Sequence, residues 1–68
     1  MKPIKLHSDY ITLQQFLKIE NFIQSGGESK YFLASEDVYV NHEKETRRGR
    51  KLYPKDQIQI HGKEFVLE

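Results

Sequence analysis

"VYVNHEKETRRGRKLYPKDQIQI", Val38 to Ile60, is the stretch that decides the fold. Val38 and Val40 point one way and Tyr39 the other, and Ile58 and Ile60 repeat the alternation. A period of two marks strands with one buried face. Between them, Asn41-His42-Glu43-Lys44 has the composition of a turn, and Arg50 to Tyr53 is expected to be extended with Leu52 inward. Pro54-Lys55-Asp56 is a second turn, because proline presets its own φ angle. His61-Gly62-Lys63 turns the chain again, and Phe65 and Leu67 belong to a last strand.

Upstream the period lengthens. Leu13, Phe16 and Leu17 recur at helical spacing, and Ile19, Phe22 and Ile23 repeat the interval on a rotated stripe. Thr12-Leu13-Gln14-Gln15 is a capping box, in which each end side chain satisfies the other residue's free backbone N–H. The pattern predicts a first helix over about 13 to 20, with Phe22 and Ile23 packing in the loop after it. Ser25-Gly26-Gly27-Glu28 is a second capping box. It starts a helix running through Lys30 and Tyr31 to about Ser35, with Phe32 and Leu33 as core contacts. Lys2 to Leu6 alternates and predicts a short strand. A sheet strand at each end of the chain makes pairing of Lys2–Leu6 with Glu64–Leu67 attractive. The expected fold class is α+β, two short helices packed on a small antiparallel sheet, as one domain over residues 1–68.

A chain of 68 residues buries only about 60% of its unfolded surface, so the core must be small and efficient. The residues are 37% apolar and 31% charged, a polar composition whose apolar members are nonetheless patterned. Cysteine is absent, which removes disulfides, thiolate nucleophiles and cysteine-ligated zinc. No apolar run reaches membrane-spanning length. The N-terminal MKPIKLHSD has no continuous apolar stretch after its lysines, so it does not have the form of a secretory signal. A cytoplasmic protein is expected, with no membrane partner, no small-molecule substrate and no cofactor.

No enzyme is expected either. His7, His42 and His61 fall in three different loops without ligand spacing, and the serines lack a nucleophile-elbow context. Two other features carry more. Gly26 and Gly27 sit where a helix starts, at a cost of about 1 kcal/mol each relative to alanine. Either bare backbone lets a phosphate approach the N–H groups, or glycine serves tight packing. Glu28 competes for the same positive helix end, and Lys30 restores a cation nearby. The second feature is Arg47, Arg48, Arg50 and Lys51, four cations in five residues of a chain whose net charge is +1. A run of like charge is commonly a solvated loop. Here three of the four are arginines, whose guanidinium forks onto phosphate. Gly49 permits close approach, and Tyr39 and Tyr53 offer rings for base stacking or for half-buried packing.

In this order, two capped helices, Val38-Tyr39-Val40-Asn41, a basic segment and Pro54-Lys55-Asp56 before a β-branched strand, the sequence resembles the RNA-binding domain of ribosomal small-subunit protein four. Phe16-Leu17 and Ser25-Gly26-Gly27-Glu28-Ser29-Lys30 match that family's helical motifs, and the likeness covers about residues 11–60. The "QSGG" helix start with "RRGRKL" is most similar to small stand-alone YaaA-like members of bacteria. The resemblance implies an RNA-binding surface made by the first helix, the second helix's start and a basic hairpin. By position that surface comprises Gln15, Lys18, Ser25, Gly26, Gly27, Lys30, Asn41, Arg47, Arg48, Arg50 and Lys51. Thr12, Gln15 and Gly26 stand where the family often has cations, so charge has moved from the helices to the hairpin. His42 and Lys55 replace usual turn glycines, so these turns are expected to differ locally.

Two function classes follow. The first is a monomeric RNA-binding module for structured RNA, ribosomal RNA foremost, with a part in ribosome assembly or in attending ribosomes. Four neutralised phosphates would give log K against log salt a slope of about −3. The second is a protein-interaction module whose same basic hairpin docks an acidic partner, with tyrosines as anchors.

Overall fold

The computed structural model describes all residues, Met1–Glu68. The chain runs β1 (Lys2–Ile4), β2 (Ile11–Thr12), α1 (Leu13–Ile19), a 3-10 turn (Gly26–Glu28), α2 (Ser29–Ser35), β3 (Val38–Val40), β4 (Glu43–Lys44), β5 (Lys51–Leu52), β6 (Gln57–Ile60) and β7 (Lys63–Leu67). Five strands form one sheet in the order β1-β7-β6-β3-β4, and β2 pairs with β5 in a separate two-stranded ladder. The class is α+β, as the change of period implies. No helix is long and apolar enough to cross a membrane.

The main sheet differs from the expected one in strand direction. Its β3, β4, β6 and β7 pair antiparallel, but β1 joins β7 in parallel, with Lys2 opposite Phe65 and Ile4 opposite Leu67. The attractive end-to-end pairing therefore exists, and it makes the sheet mixed rather than antiparallel. Alternation alone carries no strand direction, so direction had to come from the three-dimensional path of the chain.

Turn geometry sets the antiparallel registers. Asn41 and His42 are both left-handed, at φ 52° and 70°, and join β3 to β4 with Val40 opposite Glu43. That is the backbone a two-residue type I′ hairpin demands. His61 and Gly62, at φ 52° and 75°, make the same connection between β6 and β7. Lys55 has φ 79° after Pro54, the type II position that usually needs glycine. The turns thus keep the glycine-favouring backbone despite His42 and Lys55, at some strain, rather than changing shape. The Asn41 side chain helps: its amide donates to Asp56 Oδ1 (3.1 Å) and its oxygen accepts from the Gln57 N–H (2.9 Å).

Helix α1 starts and stops where local chemistry requires. Both halves of its capping box are present, Gln15 N–H to Thr12 Oγ1 at 3.2 Å and Thr12 N–H to Gln15 Oε1 at 2.7 Å. It ends at a left-handed Asn21, φ 63°. Phe22 N–H returns to Leu17 O and Asn21 N–H to Lys18 O, the paired bonds of a Schellman stop.

One core results. Leu13, Phe16 and Leu17 of α1, Ile23, and Leu33 of α2 pack on Val38, Val40, Ile58, Ile60, Phe65 and Leu67 of the sheet, with Leu52 closing one side. Phe16 meets Phe65 edge-on at 5.1 Å. Each fully buried aliphatic here contributes about 1.5–3 kcal/mol of transfer free energy. Phe32 reaches this core only in part, with Leu33 the deeper of the two.

Candidate nucleic-acid interface

The cations Arg47, Arg48 and Arg50 do not sit on a hairpin. β4 pairs with β3 and β5 pairs with β2, so residues 45–50 form a loop that leaves one sheet and enters the other, with Lys51 opening β5. The resemblance implied a hairpin here, but the two flanking strands have different partners.

This loop is braced from within by a residue the sequence presented only as one acid among several. The Glu45 carboxylate is buried, with 7% of its side chain exposed, and accepts five hydrogen bonds. Two come from the backbone N–H groups of Thr46 and Arg47, both 3.0 Å. Two come from the Arg47 guanidinium, Nε and Nη2, each 3.1 Å, and one from Arg50 Nη1 at 2.8 Å. The fork onto Arg47 is bidentate, the strong arrangement for this pair. Arg47's hydrogen bonds hold the Glu45 carboxyl at about 2, against the opposing cost of burial and with further help from Arg50. The same bonds raise Arg47 above its ordinary value. Two of the four cations therefore have an internal partner, while Arg48 and Lys51 are exposed. Against one carboxylate the segment still carries four cations, leaving three in excess.

The loop's backbone is spoken for as well. Arg50 O accepts from Leu13 N–H (2.8 Å) and Arg48 O from Gln14 N–H (2.9 Å). With the capping box, these bonds satisfy the donors that a helix start leaves free. The basic loop is thus the cap of α1, and its position is set by the helix it caps.

The glycine-rich turn lies on the other side of the same helix start. A Cβ on Gly26 would stand 2.6 Å from Gln14 Nε2, whereas one on Gly27 would meet nothing within 4 Å. A side chain at Gly26 would therefore have to displace the end of Gln14. The fully buried Ser29 secures the contact, donating to Gly26 O (2.6 Å) and lying 3.1 Å from Gln14 Oε1. The Glu28 carboxylate accepts from the backbone N–H groups of Gln24 and Ser25, both 3.1 Å. An internal carboxylate therefore sits at this turn, bonded to the two residues that precede the glycines.

Gln14, absent from the expected surface, is where its parts converge: the 3-10 turn on its side chain, the basic loop on its N–H. Gln15 and Lys18 lie on the exposed face of α1 and line a shallow groove with Ile11 and Ile19. The Gln15 oxygen is used by its cap, leaving its amide N–H₂ outward. Ser25 and Gly27 are exposed on the turn, and Lys30 is exposed in the first turn of α2. Asn41 is committed to its hairpin and Asp56. Of the two tyrosines, Tyr53 joins the loop: it lines an open concavity with Arg47, Gly49, Arg50 and Lys51. Tyr39 lies on the outer face of the sheet, in a cleft with Glu36, Asp37, Gln59 and His61.

Comparison with known proteins agrees with this architecture. A probable ribosome maturation protein, RlbA, of Bacillus subtilis (strain 168) is 52% identical over 60 residues, which cover 88% of this chain and 84% of that protein. The S4 domain matches from residue 4 to residue 68, a span that takes in both helices, the capping loop and most of the sheet, and the chain belongs to the S4 domain family.

Proposed function

We propose that the protein binds structured RNA, ribosomal RNA foremost, and serves ribosome maturation as its Bacillus relative is named for. The observation that carries this is the cationic loop hydrogen-bonded to the start of α1, with three charges in excess after Glu45 is counted. A pre-set loop pays little ordering entropy when phosphates arrive. Arg48 and Lys51 make the primary phosphate contacts. Arg47 and Arg50 turn their remaining donors outward while Glu45 fixes their planes. Gln15, Lys18 and Lys30 extend the surface along the helices, and Gly27 leaves bare backbone beside it. Recognition of this kind follows shape and backbone more than sequence.

The test is a titration against a ribosomal RNA helix at several salt concentrations, alongside Arg48→Gln/Lys51→Gln. That variant spares the two arginines that brace the loop. With three excess charges the slope of log K against log salt is expected between about −2 and −3, and the variant should flatten it by about 1.5. Binding that ignores salt, or that the variant retains in full, would overturn the proposal. The near-neutral net charge of +1 favours one rival, an acidic protein face docked on the same loop. Displacement of RNA by an acidic peptide but not by a second RNA would favour that rival.

A further inference from the structure

Two exposed aromatic rings meet beside the cationic loop, and the electrostatic proposal leaves them unused. Tyr10 precedes β2 and Tyr53 follows β5, so the β2–β5 ladder, with Ile11 opposite Leu52, brings them together. Their centroids are 5.7 Å apart and the planes tilted by 48°. Lys51 Nζ stands 5.0 Å from the centroid of Tyr10, so one face of that ring already holds a cation. Tyr53 remains 47% exposed. Its N–H donates to Asp56 Oδ2 at 2.8 Å, and Asp56 is itself tied to Asn41. The ring is therefore carried by a hydrogen-bonded turn.

Gly49 supplies an independent observation. Its φ is not left-handed, and a Cβ there would meet nothing within 4 Å. Neither backbone conformation nor packing within the chain calls for glycine at this place. It lines the concavity with Tyr53, Arg47, Arg50 and Lys51.

We infer that Tyr53, supported by Tyr10 and Lys51, is a stacking platform for one unpaired nucleobase, its flanking phosphates held by the loop cations. The inference rests on the RNA-binding proposal and narrows its target to a duplex interrupted by an extrahelical base. Stacking suits this geometry because every base has a π-face, and a ring fixed before binding loses little freedom. Lys51 over Tyr10 keeps that ring oriented, and Gly49 gives the nucleotide backbone room.

The experiment uses the full chain and two RNA hairpins of the same stem, one continuous and one carrying a single bulged 2-aminopurine. The wild type should bind the bulged hairpin about tenfold more tightly, within the range of one base stacked on an aromatic side chain, with quenching of the 2-aminopurine fluorescence. Tyr53→Leu should abolish both the preference and the quenching while the continuous stem keeps its salt-dependent binding. Tyr53→Phe should keep them. Equal affinity of the wild type for both hairpins, with salt-sensitive binding intact, overturns the platform and leaves RNA binding standing. Loss of the preference in Tyr53→Phe as well would also overturn stacking, assigning the effect to the hydroxyl. Binding to neither hairpin removes the underlying proposal together with the platform.

Discussion

The loop at residues 45–50 and the 3-10 turn Gly26–Glu28 flank the same helix start, and both have the composition of a phosphate seat. Each also contains its own carboxylate. Glu28 is exposed and accepts two backbone N–H groups. Glu45 is buried and accepts two backbone and three guanidinium bonds. At the turn, the internal acid braces the backbone just ahead of Gly26 and sets a negative charge there. At the loop, it spreads and orients a larger number of cations and leaves a surplus. A buried acid inside a basic segment is thus a scaffold for the charges around it, while a capping acid at a helix start is their competitor.

Replacing each acid by glutamine separates the two roles and carries the largest effect. Glu45→Gln leaves Arg47 and Arg50 without their counter-charge and should cost on the order of 2 kcal/mol, less than a fully buried pair because Arg47 is largely solvated. Glu28→Gln retains an acceptor at an exposed cap and should cost about 0.5 kcal/mol. Urea unfolding of the two variants measures the gap, and equal losses would erase the distinction. Acid sharpens the same point. The Glu45 carboxyl is depressed to about 2 from the ordinary 4.5, so its contribution is complete above about pH 4.5. It fades as pH falls toward 2, when the carboxyl takes up a proton. Glu45→Gln should therefore lose less stability than the wild type across that window.

The glycines give a smaller contrast. Gly26→Ala must push aside Gln14 and disturb its contact with Ser29, whereas Gly27→Ala enters open space and gains helix propensity. The two variants should differ by about 1 kcal/mol in stability, with Gly27→Ala the more stable. If Gly26→Ala is the more stable, the packing explanation for Gly26 fails. The smallest effect belongs to the turn at Pro54-Lys55-Asp56. Lys55→Gly relieves a left-handed lysine and should raise the thermal midpoint slightly, by about 0.5 kcal/mol in stability, net of the extra freedom of the unfolded chain. A fall in the midpoint would show that the strain is already offset locally.

What was legible in the sequence was local. Thr12 and Gln15 form their capping box because both partners lie within one turn. Val38, Val40, Ile58 and Ile60 face the core because side-chain direction alternates along any strand. The direction of β1 was hidden, since its partner strand lies at the far end of the chain. So was the meeting of Tyr10 and Tyr53, which depends on a two-residue strand too short to leave a pattern. Glu45 left a signal that was available: one acid at the entrance of a run of arginines, two and five residues before its partners. Its burial could not be read there, because it depends on the loop curling back so that Arg47 and Arg50 close over the carboxylate.

The parallel seam between β1 and β7 has a consequence for the order of assembly. The hairpin β6–β7 closes over two residues, while Lys2 must find Phe65 across nearly the whole chain. Closure entropy grows with the logarithm of the loop, and its cost must be met before the seam returns any contact. Once the helices and β6–β7 have condensed, however, most of that loop is already shortened by structure. On this ground β1 is expected to join the sheet last, after β6 and β7 have paired.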